Sequence, residues 1–300
     1  VSTTTPEPLY LAGPTASGKS ALALKLAEEC GGEIVNADAF QLYRGLRICT
    51  AQPPLEELEK VPHHLYGMLD IHETCDAHRY SERARAVIAE IAQRGKLPIV
   101  VGGSGLYMKA LTHGLMPLPS NATLRERLSH FTAGERVHWL LHRDPAAAQT
   151  VNLKNDRYVG RALEICLLTG KPQSELRKEW SRVTPSFRGV VLVWPREALA
   201  ARINERVLQM VKDGLVEEIE RLGSLSQTAV KAIGVREIQA HLHGERSLEE
   251  TIAGIQLATR QYARRQEKWF RREKGFHTLP VDASTKLDEL AAAVYRSVGL

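Results

Sequence analysis

Gly13-Pro14-Thr15-Ala16-Ser17-Gly18-Lys19-Ser20 fits the pattern G-x-x-x-x-G-K-[ST]. It follows a short apolar run, Leu9–Ala12, and opens a stretch of helical periodicity, which is where such a loop must lie. Its glycines let successive backbone N–H groups turn into one concavity, and the helix N-terminus adds partial positive charge. Lys19 supplies a full charge to phosphate oxygens, and the Ser20 hydroxyl is placed to ligate Mg²⁺. The chemistry is polyphosphate binding, but the pattern does not specify a nucleotide. A nucleotide triphosphatase places an acid at the end of a later strand to hold the Mg²⁺ shell. The matching strand here, Pro98–Val101, runs into Gly102-Gly103-Ser104-Gly105 instead. Asp38 is the most informative carboxylate. It follows a predicted strand, Glu33–Asn36, and so falls at the carboxyl edge of a parallel sheet, beside the phosphate loop. There it acts as a general base or sits behind the metal; the plainer alternative is an N-cap for a helix over Ala39–Tyr43.

A second chemical signal lies near the C-terminus. Between Gln256 and Lys274 there are seven basic residues against two acidic ones, a local excess equal to the +5 of the whole chain. Arg260, Arg264, Lys268 and Arg272 recur every four residues and make one stripe on a helix, with Arg265, Tyr262, Trp269 and Phe270 interleaved. Such a stripe suits a polyanion, and it equally suits a solvated face; for the aromatics, core packing is the plainer reading. His138 and His142 share a helical face, but no acid lies between them and no cysteine offers a third ligand, so a metal site is the weaker reading.

These residues need elements to position them. Strands are predicted at Leu9–Ala12, Glu33–Asn36, Pro98–Val101, Gly189–Trp194 and Phe276–Pro280, alternating with helices at about Gly18–Cys30, Ala77–Arg94, Gly105–Leu111, Arg196–Asp213, Leu215–Leu222 and Ser247–Lys274. Residues Gln52–Glu73, rich in Pro and His, read as loop. Breaks at Pro117 and Pro185 bracket a stretch, Ala122 to about Arg182, with helical periodicity and no strand. The fold class is therefore α/β: a P-loop-type parallel sheet with flanking helices and an all-helical insertion. The divisions are 1–116 and 189–300 for the catalytic core and 117–188 for the insertion. Composition agrees: 300 residues, 43% hydrophobic and 25% charged, exclude disordered and collagen-like classes. No apolar run nears the ~18 residues of a membrane span, and no secretory pattern is visible at the start. Cys30, Cys49, Cys75 and Cys166 are too scattered for a disulfide framework or zinc cluster, so a reducing cytoplasm is expected.

Taken together, the motifs resemble one family. GPTASGKS, Glu33–Leu46 (EIVNADAFQLYRGL), Pro98–Leu111 (PIVVGGSGLYMKAL), Asp156–Glu164 (DRYVGRALE), Ala232–Glu237 (AIGVRE) and Thr259–Gln266 (TRQYARRQ), followed by Trp269–Arg271, resemble the tRNA dimethylallyltransferases, in order and from about Leu9 to Arg271. The phosphate loop is shared by many families; the combination is specific. The resemblance implies transfer of a dimethylallyl group from its diphosphate to the exocyclic amine of the adenine 3′ of the anticodon, with Mg²⁺ as cofactor, the insertion gripping the anticodon stem-loop, and no protein partner. The chain departs from the family pattern at Ala39, where a Ser is usual, at Ser104 for Thr, and at Val235 for an aromatic. The segment before Arg161-Ala162-Leu163-Glu164 is one residue short.

The roles implied are these. Asp38 takes the amine proton; Lys19, Ser20 with Mg²⁺, and the N–H groups of Thr15–Lys19 stabilise the leaving diphosphate. Gly13, Pro14 and Gly18 complete that cradle, with Lys231 as a further contact. The target base must leave its stack; Asp38, Ala39, Phe40 and Gln41 meet it, and Ser104 adds a hydrogen bond. Arg125 and Asp156-Arg157-Tyr158-Val159-Gly160-Arg161, with Lys154 and Lys171 nearby, are expected against the tRNA, as are Arg260, Arg264, Arg265 and Lys268. Two other readings stay open: a small-molecule kinase using ATP with Asp38 as base, and an RNA-binding module with a vestigial loop.

Overall fold

The computed structural model describes residues 5–116, 118–180 and 186–300. The expected breaks at Pro117 and Pro185 and the helix end near Arg182 lie outside them. Six strands form one parallel sheet: β1 (Leu9–Ala12), β2 (Glu33–Asn36), β3 (His63–His64), β4 (Pro98–Gly102), β5 (Arg188–Val193) and β6 (His277–Pro280), in the order β3-β2-β4-β1-β5-β6. β1, β2 and β4 are buried along their whole length, the mark of a sheet covered on both faces. The period-2 alternation sorts their side chains. Tyr10, Ala12, Val35, Val100 and Val191 join Tyr80, Tyr107 and Met108 on one side. Leu9, Leu11, Ile34, Ile99 and Leu192 join Leu22, Leu26 and Val294 on the other.

The register brings the strand ends together. Ala12 lies opposite both Gly102 and Val191, and Asn36 opposite Val101. The phosphate loop after β1, Asp38 after β2 and Ser104 after β4 therefore all leave from one edge of the sheet. The joint is tight. Ala37 N–H donates to Val101 O at 2.7 Å and Ser104 N–H to Ala37 O at 3.3 Å. A Cβ on Gly102 would lie 2.1 Å from Ala37 O.

The structure departs from the sequence reading in several places. The segment read as loop, Gln52–Glu73, holds the helix Leu55–Lys60 and strand β3. Two residues carry no periodic signal; β3 is fixed by tertiary contacts, with Ile34 N–H donating to Pro62 O and the His64 ring 2.7 Å from the buried Glu33 carboxylate. Glu33, 3% exposed, is also paired with Arg94 at 2.7 Å and Lys96 at 3.5 Å. Helices Val235–Leu242 and Leu287–Val298 are additional. The basic helix runs Leu248–Phe270 and ends four residues earlier than expected, at the buried Phe270, with Arg271 as its C-cap. Arg272 thus falls off the stripe.

Two compact units emerge: Val1–Gly114 with Pro185–Leu300, and Leu115–Thr184. Arg188, placed in the insertion by sequence, pairs with Leu9 as the first residue of β5. The second unit is helical, with Ala122–Ser129, Ala133–Arg143, Ala147–Thr150, Asp156–Thr169 and Gln173–Trp180 around a core of Leu128, Leu140, Val159, Leu163 and Cys166. Asn121, Thr132 and Asn155 cap its helices with side-chain oxygens.

Two glycines give opposite expectations. Gly102→Ala forces a methyl onto a carbonyl oxygen and is expected to lower stability by about 1–3 kcal/mol or more. Gly160→Ala, inside a helix with nothing within 4 Å of the new methyl, is expected to raise it by about 0.5–1 kcal/mol. Urea denaturation of each variant checks both signs.

Candidate active site

The phosphate loop is held in shape from outside. Ala16 (φ 63°) and Gly18 (φ 87°) both adopt the left-handed conformation, and a strained non-glycine residue is characteristic of ligand loops. The loop carbonyls are drawn away by fixed donors: Trp194 Nε1 donates to Ser17 O at 2.9 Å, and Arg202 Nε to Ala16 O at 2.9 Å. The Arg202 guanidinium lies 4.6 Å from the centre of the Trp194 ring. Gly13 is required by packing, since a Cβ there would sit 2.8 Å from Ser17 Oγ. The helix Lys19–Cys30 follows, and the N–H groups of its first turn have no carbonyl four residues back. One expected donor is already committed: Thr15 N–H is bonded to Gln266 Oε1 at 2.9 Å.

The charges of the site are two cations and one carboxylate. Lys19 Nζ donates to Pro14 O at 3.2 Å. Burial lowers the Lys19 pKa to about 8, Asp38 acting against this and Arg206 with it. Arg206 is likewise held below its usual value by burial, Asp38 opposing and Arg202 adding to the effect. The cations are partly stripped of water and face each other's field, an arrangement relieved by a bound polyanion. Arg202 and Arg206 belong to none of the sequence motifs; their i, i+4 spacing beside Ile203 and Val207 is the one local signal that places them together.

Asp38 is not a helix N-cap. Residues 39–45 form turns, and Asp38 Oδ1 accepts from Phe40 N–H at 2.9 Å. The residue that sets it is Asn36, fully buried, whose amide accepts from Asp38 N–H at 2.9 Å and donates to Asp38 O at 3.1 Å and Leu65 O at 3.0 Å. Gln41, expected to read the base, spends its amide on Thr50 O and Ala51 O at 3.0 and 2.7 Å. Ser104 stands at the N-cap of Gly105–Thr112 and makes no side-chain capping bond.

Between Thr15, Ala16 and Asp38 on one side and the helix Arg196–Lys212 on the other opens a cleft of about 680 Å³ including its mouth. Its wall is mainly apolar, with Phe40, Ile203, Val207, Met210, Ile233 and Ile255 prominent, and Arg206 and Tyr262 near the charged end. Its small polar side chains are turned to backbone: Cys49 Sγ donates to Ile233 O, Thr50 Oγ1 to Leu46 O and Thr259 Oγ1 to Ile255 O. Among the described residues no cluster of three His, Cys, Asp or Glu is placed to hold a metal. Ser20, exposed on the first helical turn, suits an ion that takes its remaining ligands from phosphate and water, as Mg²⁺ commonly does.

The other expected contacts are dispersed. Lys231 is exposed in a short turn, Ala229–Lys231, and only the following Ala232 and Ile233 line the cleft. In the helical unit, Val159 is 1% exposed and belongs to the core, so its side chain is closed to RNA. Arg161 and Arg125 pair with the fully buried Glu164, at 2.7 and 3.6 Å, and Asp156 pairs with Arg136. Arg157 and Tyr158 are exposed. On the long helix Arg264, Arg265 and Lys268 are exposed, whereas Arg260 is bonded to Asn204. Trp269 lies where a Cβ on Gly105 would go, and Phe270 is core.

A family described as IPP transferase matches residues 41–273. A tRNA dimethylallyltransferase of Geobacter metallireducens is 44% identical over 293 residues, 94% of each chain. One from Akkermansia muciniphila is 41% identical over 97% of this chain and 99% of its own. Among solved structures, the tRNA Δ2-isopentenylpyrophosphate transferase of Staphylococcus epidermidis has a TM-score of 0.71 at 30% identity, covering 98% of this chain and 99% of that one. A eukaryotic dimethylallyltransferase seen acting on tRNA has a TM-score of 0.83 at 29% identity, over 96% and 77%.

The lowered Lys19 pKa has a sign that can be checked. Between about pH 8 and the usual lysine value the unfolded chain keeps a proton the folded chain has lost, so this group's contribution to stability rises with pH there. A bound polyanion favours the charged amine. Binding of inorganic diphosphate is therefore expected to take up protons above pH 8 and to weaken as pH rises. Calorimetry in buffers of different ionisation enthalpy measures the uptake, and Lys19→Met is expected to remove that part of it.

Proposed function

Because the chain belongs to the IPP transferase family, the tRNA dimethylallyltransferases, we propose that it moves a dimethylallyl group from dimethylallyl diphosphate to the exocyclic amine of the adenine next to the anticodon of tRNA, releasing diphosphate. The observation that carries this reading is the cleft itself: a cationic phosphate loop at one end, an apolar wall leading from it, and a carboxylate, Asp38, on its lining. A diphosphate with a short hydrocarbon tail matches that polarity. A kinase has less use for the apolar wall, and the relatives named above favour the transferase.

The chemistry divides among the residues as follows. The bond from the allylic carbon to the diphosphate oxygen breaks with its electron pair on oxygen, and Lys19, Arg206 and the first-turn N–H groups meet the charge that develops. The adenine nitrogen forms the new C–N bond and gives its proton to Asp38, whose carboxylate is fixed by the Phe40 N–H. The apolar wall keeps water from the allylic carbon while it carries positive character. Mg²⁺, held through Ser20 and the diphosphate oxygens, would add charge neutralisation to the leaving group.

For the RNA, the exposed Arg264, Arg265 and Lys268 supply phosphate contacts, and Arg157 and Tyr158 of the helical unit supply others. No helix among the described residues is long and apolar enough to cross a membrane, and the four cysteines are free thiols; we place the protein in the cytoplasm, acting as a single chain.

Transfer of label from dimethylallyl diphosphate into bulk tRNA, with Mg²⁺ present, tests the reading; tight ATP binding without label transfer would favour the kinase. In that assay Asp38→Ala is expected to lower single-turnover rate by about 10²–10⁴-fold, with tRNA binding little changed. Reversing Arg264 and Lys268 to Glu is expected to weaken tRNA binding most at low salt. Each lost contact lowers the slope of log affinity against log salt by roughly 0.7–0.9, which a filter-binding titration reads.

A further inference from the structure

The mechanism above uses the exposed face of the helix Leu248–Phe270 and leaves its buried face without a role. Gln266 sits there, 4% exposed. Its side-chain oxygen accepts from Thr15 N–H of the phosphate loop at 2.9 Å, and its nitrogen donates to Gly103 O at 2.9 Å. Gly103 immediately precedes Ser104, whose N–H donates to the carbonyl of Ala37, the residue before Asp38. One side chain thus joins the loop that holds diphosphate to the turn that abuts the base. The turn and the helix pack closely: a Cβ on Gly103 would lie 2.1 Å from Gln266 Nε2, and one on Gly105 would fall 2.2 Å from the Trp269 ring, three residues further along the helix.

The choice of a neutral amide follows from its partners. An N–H and a C=O must both be satisfied out of water, so the side chain has to accept at one atom and donate at the other. A carboxylate can do only the first. A hydrocarbon of equal length does neither and leaves two buried groups unpaired. We propose that Gln266 is a positioning residue for the transfer reaction: it sets the distance between the phosphate loop and the Ser104–Asp38 side of the cleft, and so the alignment of the diphosphate with the base that takes the amine proton. The proposal rests on the reading of the cleft given above. It also explains why the N–H of Thr15 is withheld from the ligand: that donor is used to place the loop.

Displacement by about 1 Å of a group that positions a reaction costs on the order of 10²-fold in rate, and this sets the expectation. Gln266→Met is expected to lower the single-turnover rate by about that factor at every pH, with KM for tRNA within a few-fold of wild type. Gln266→Glu is expected to lose a similar amount at pH 8.5, where the introduced carboxylate cannot donate to Gly103 O. It should recover toward wild type by pH 6, where the protonated acid both accepts and donates. The groups that face this position are Tyr262 on the same helix, whose hydroxyl is hydrogen-bonded to the Gln266 side chain, and Lys19 and Asp38 across the cleft; Gln266→Met adds no charge beside them and serves as the pH-independent reference for Gln266→Glu. In the wild type itself, the Gln266 side-chain amide is expected to exchange slowly with solvent both with and without inorganic diphosphate. Transfer by the wild type is the control for the reading of function, and its failure would be seen before any variant is compared. Rates within threefold of wild type for both variants would overturn the proposal. So would a Gln266→Glu loss that is flat in pH and merely follows melting temperature. If neither variant folds, fast exchange of the wild-type amide with diphosphate bound overturns it, and slow exchange upholds it.

Discussion

A methyl group on Gly102 would lie 2.1 Å from the Ala37 carbonyl oxygen, and the site is built around that near-contact between two chain segments. β4 and the exit from β2 approach so closely that their turns must share hydrogen bonds, Ala37 N–H to Val101 O and Ser104 N–H to Ala37 O. β1 ends in the same register, with Ala12 opposite Gly102. Three turns are thereby delivered to one sheet edge: the phosphate loop, the Asp38 turn and the Ser104 turn. Parallel strands end with their carbonyl sides together, which is why open α/β sheets bind ligands at that edge. Here the glycines are what let the backbones close up enough to use it.

The electrostatics follow from the same crowding. Lys19, Arg206 and Asp38 lie half-buried around one cleft, and no ion pair within 4 Å joins Asp38 to either cation among the described residues. The cations and the carboxylate are therefore not neutralised by direct pairing with one another. The carbonyls of the loop are drawn outward by Trp194 and Arg202, so the concavity keeps its donors. The apolar wall from Ile203 to Met210 makes every one of these charges count for more than it would in water.

The long helix Leu248–Phe270 has two chemically different faces. Arg264, Arg265 and Lys268 face solvent, while Ile255, Ala263, Gln266 and Phe270 face the protein. Phe270 and the Gln266 bonds pin the helix on its inner side. The structure divides the basic stripe read from the sequence. Arg264 and Lys268 are solvated, Arg260 is tied to Asn204, and Arg272 lies past the helix end.

The sequence by itself determined the elements with strong local signals. The loop Gly13–Ser20, the strands at 9–12, 33–36 and 98–101 and the helices after them were legible because apolar periodicity and glycine placement are local properties of the chain. Asp38 was legible as a residue at a strand end. The helical stretch after residue 121 was legible from its periodicity, and the run of motifs pointed to the family. Contacts distant in sequence were not legible. β3 exists because His64 meets Glu33, 31 residues away. The amide nitrogen of Gln41 is bonded to Thr50 O and Ala51 O, and the Val159 side chain lies in the core, which no local pattern shows. Arg206 and Gln266 entered the site only when helices far along the chain packed against it. A side chain's partner, and the water it loses, are set by where the chain brings other residues, and no local pattern encodes that.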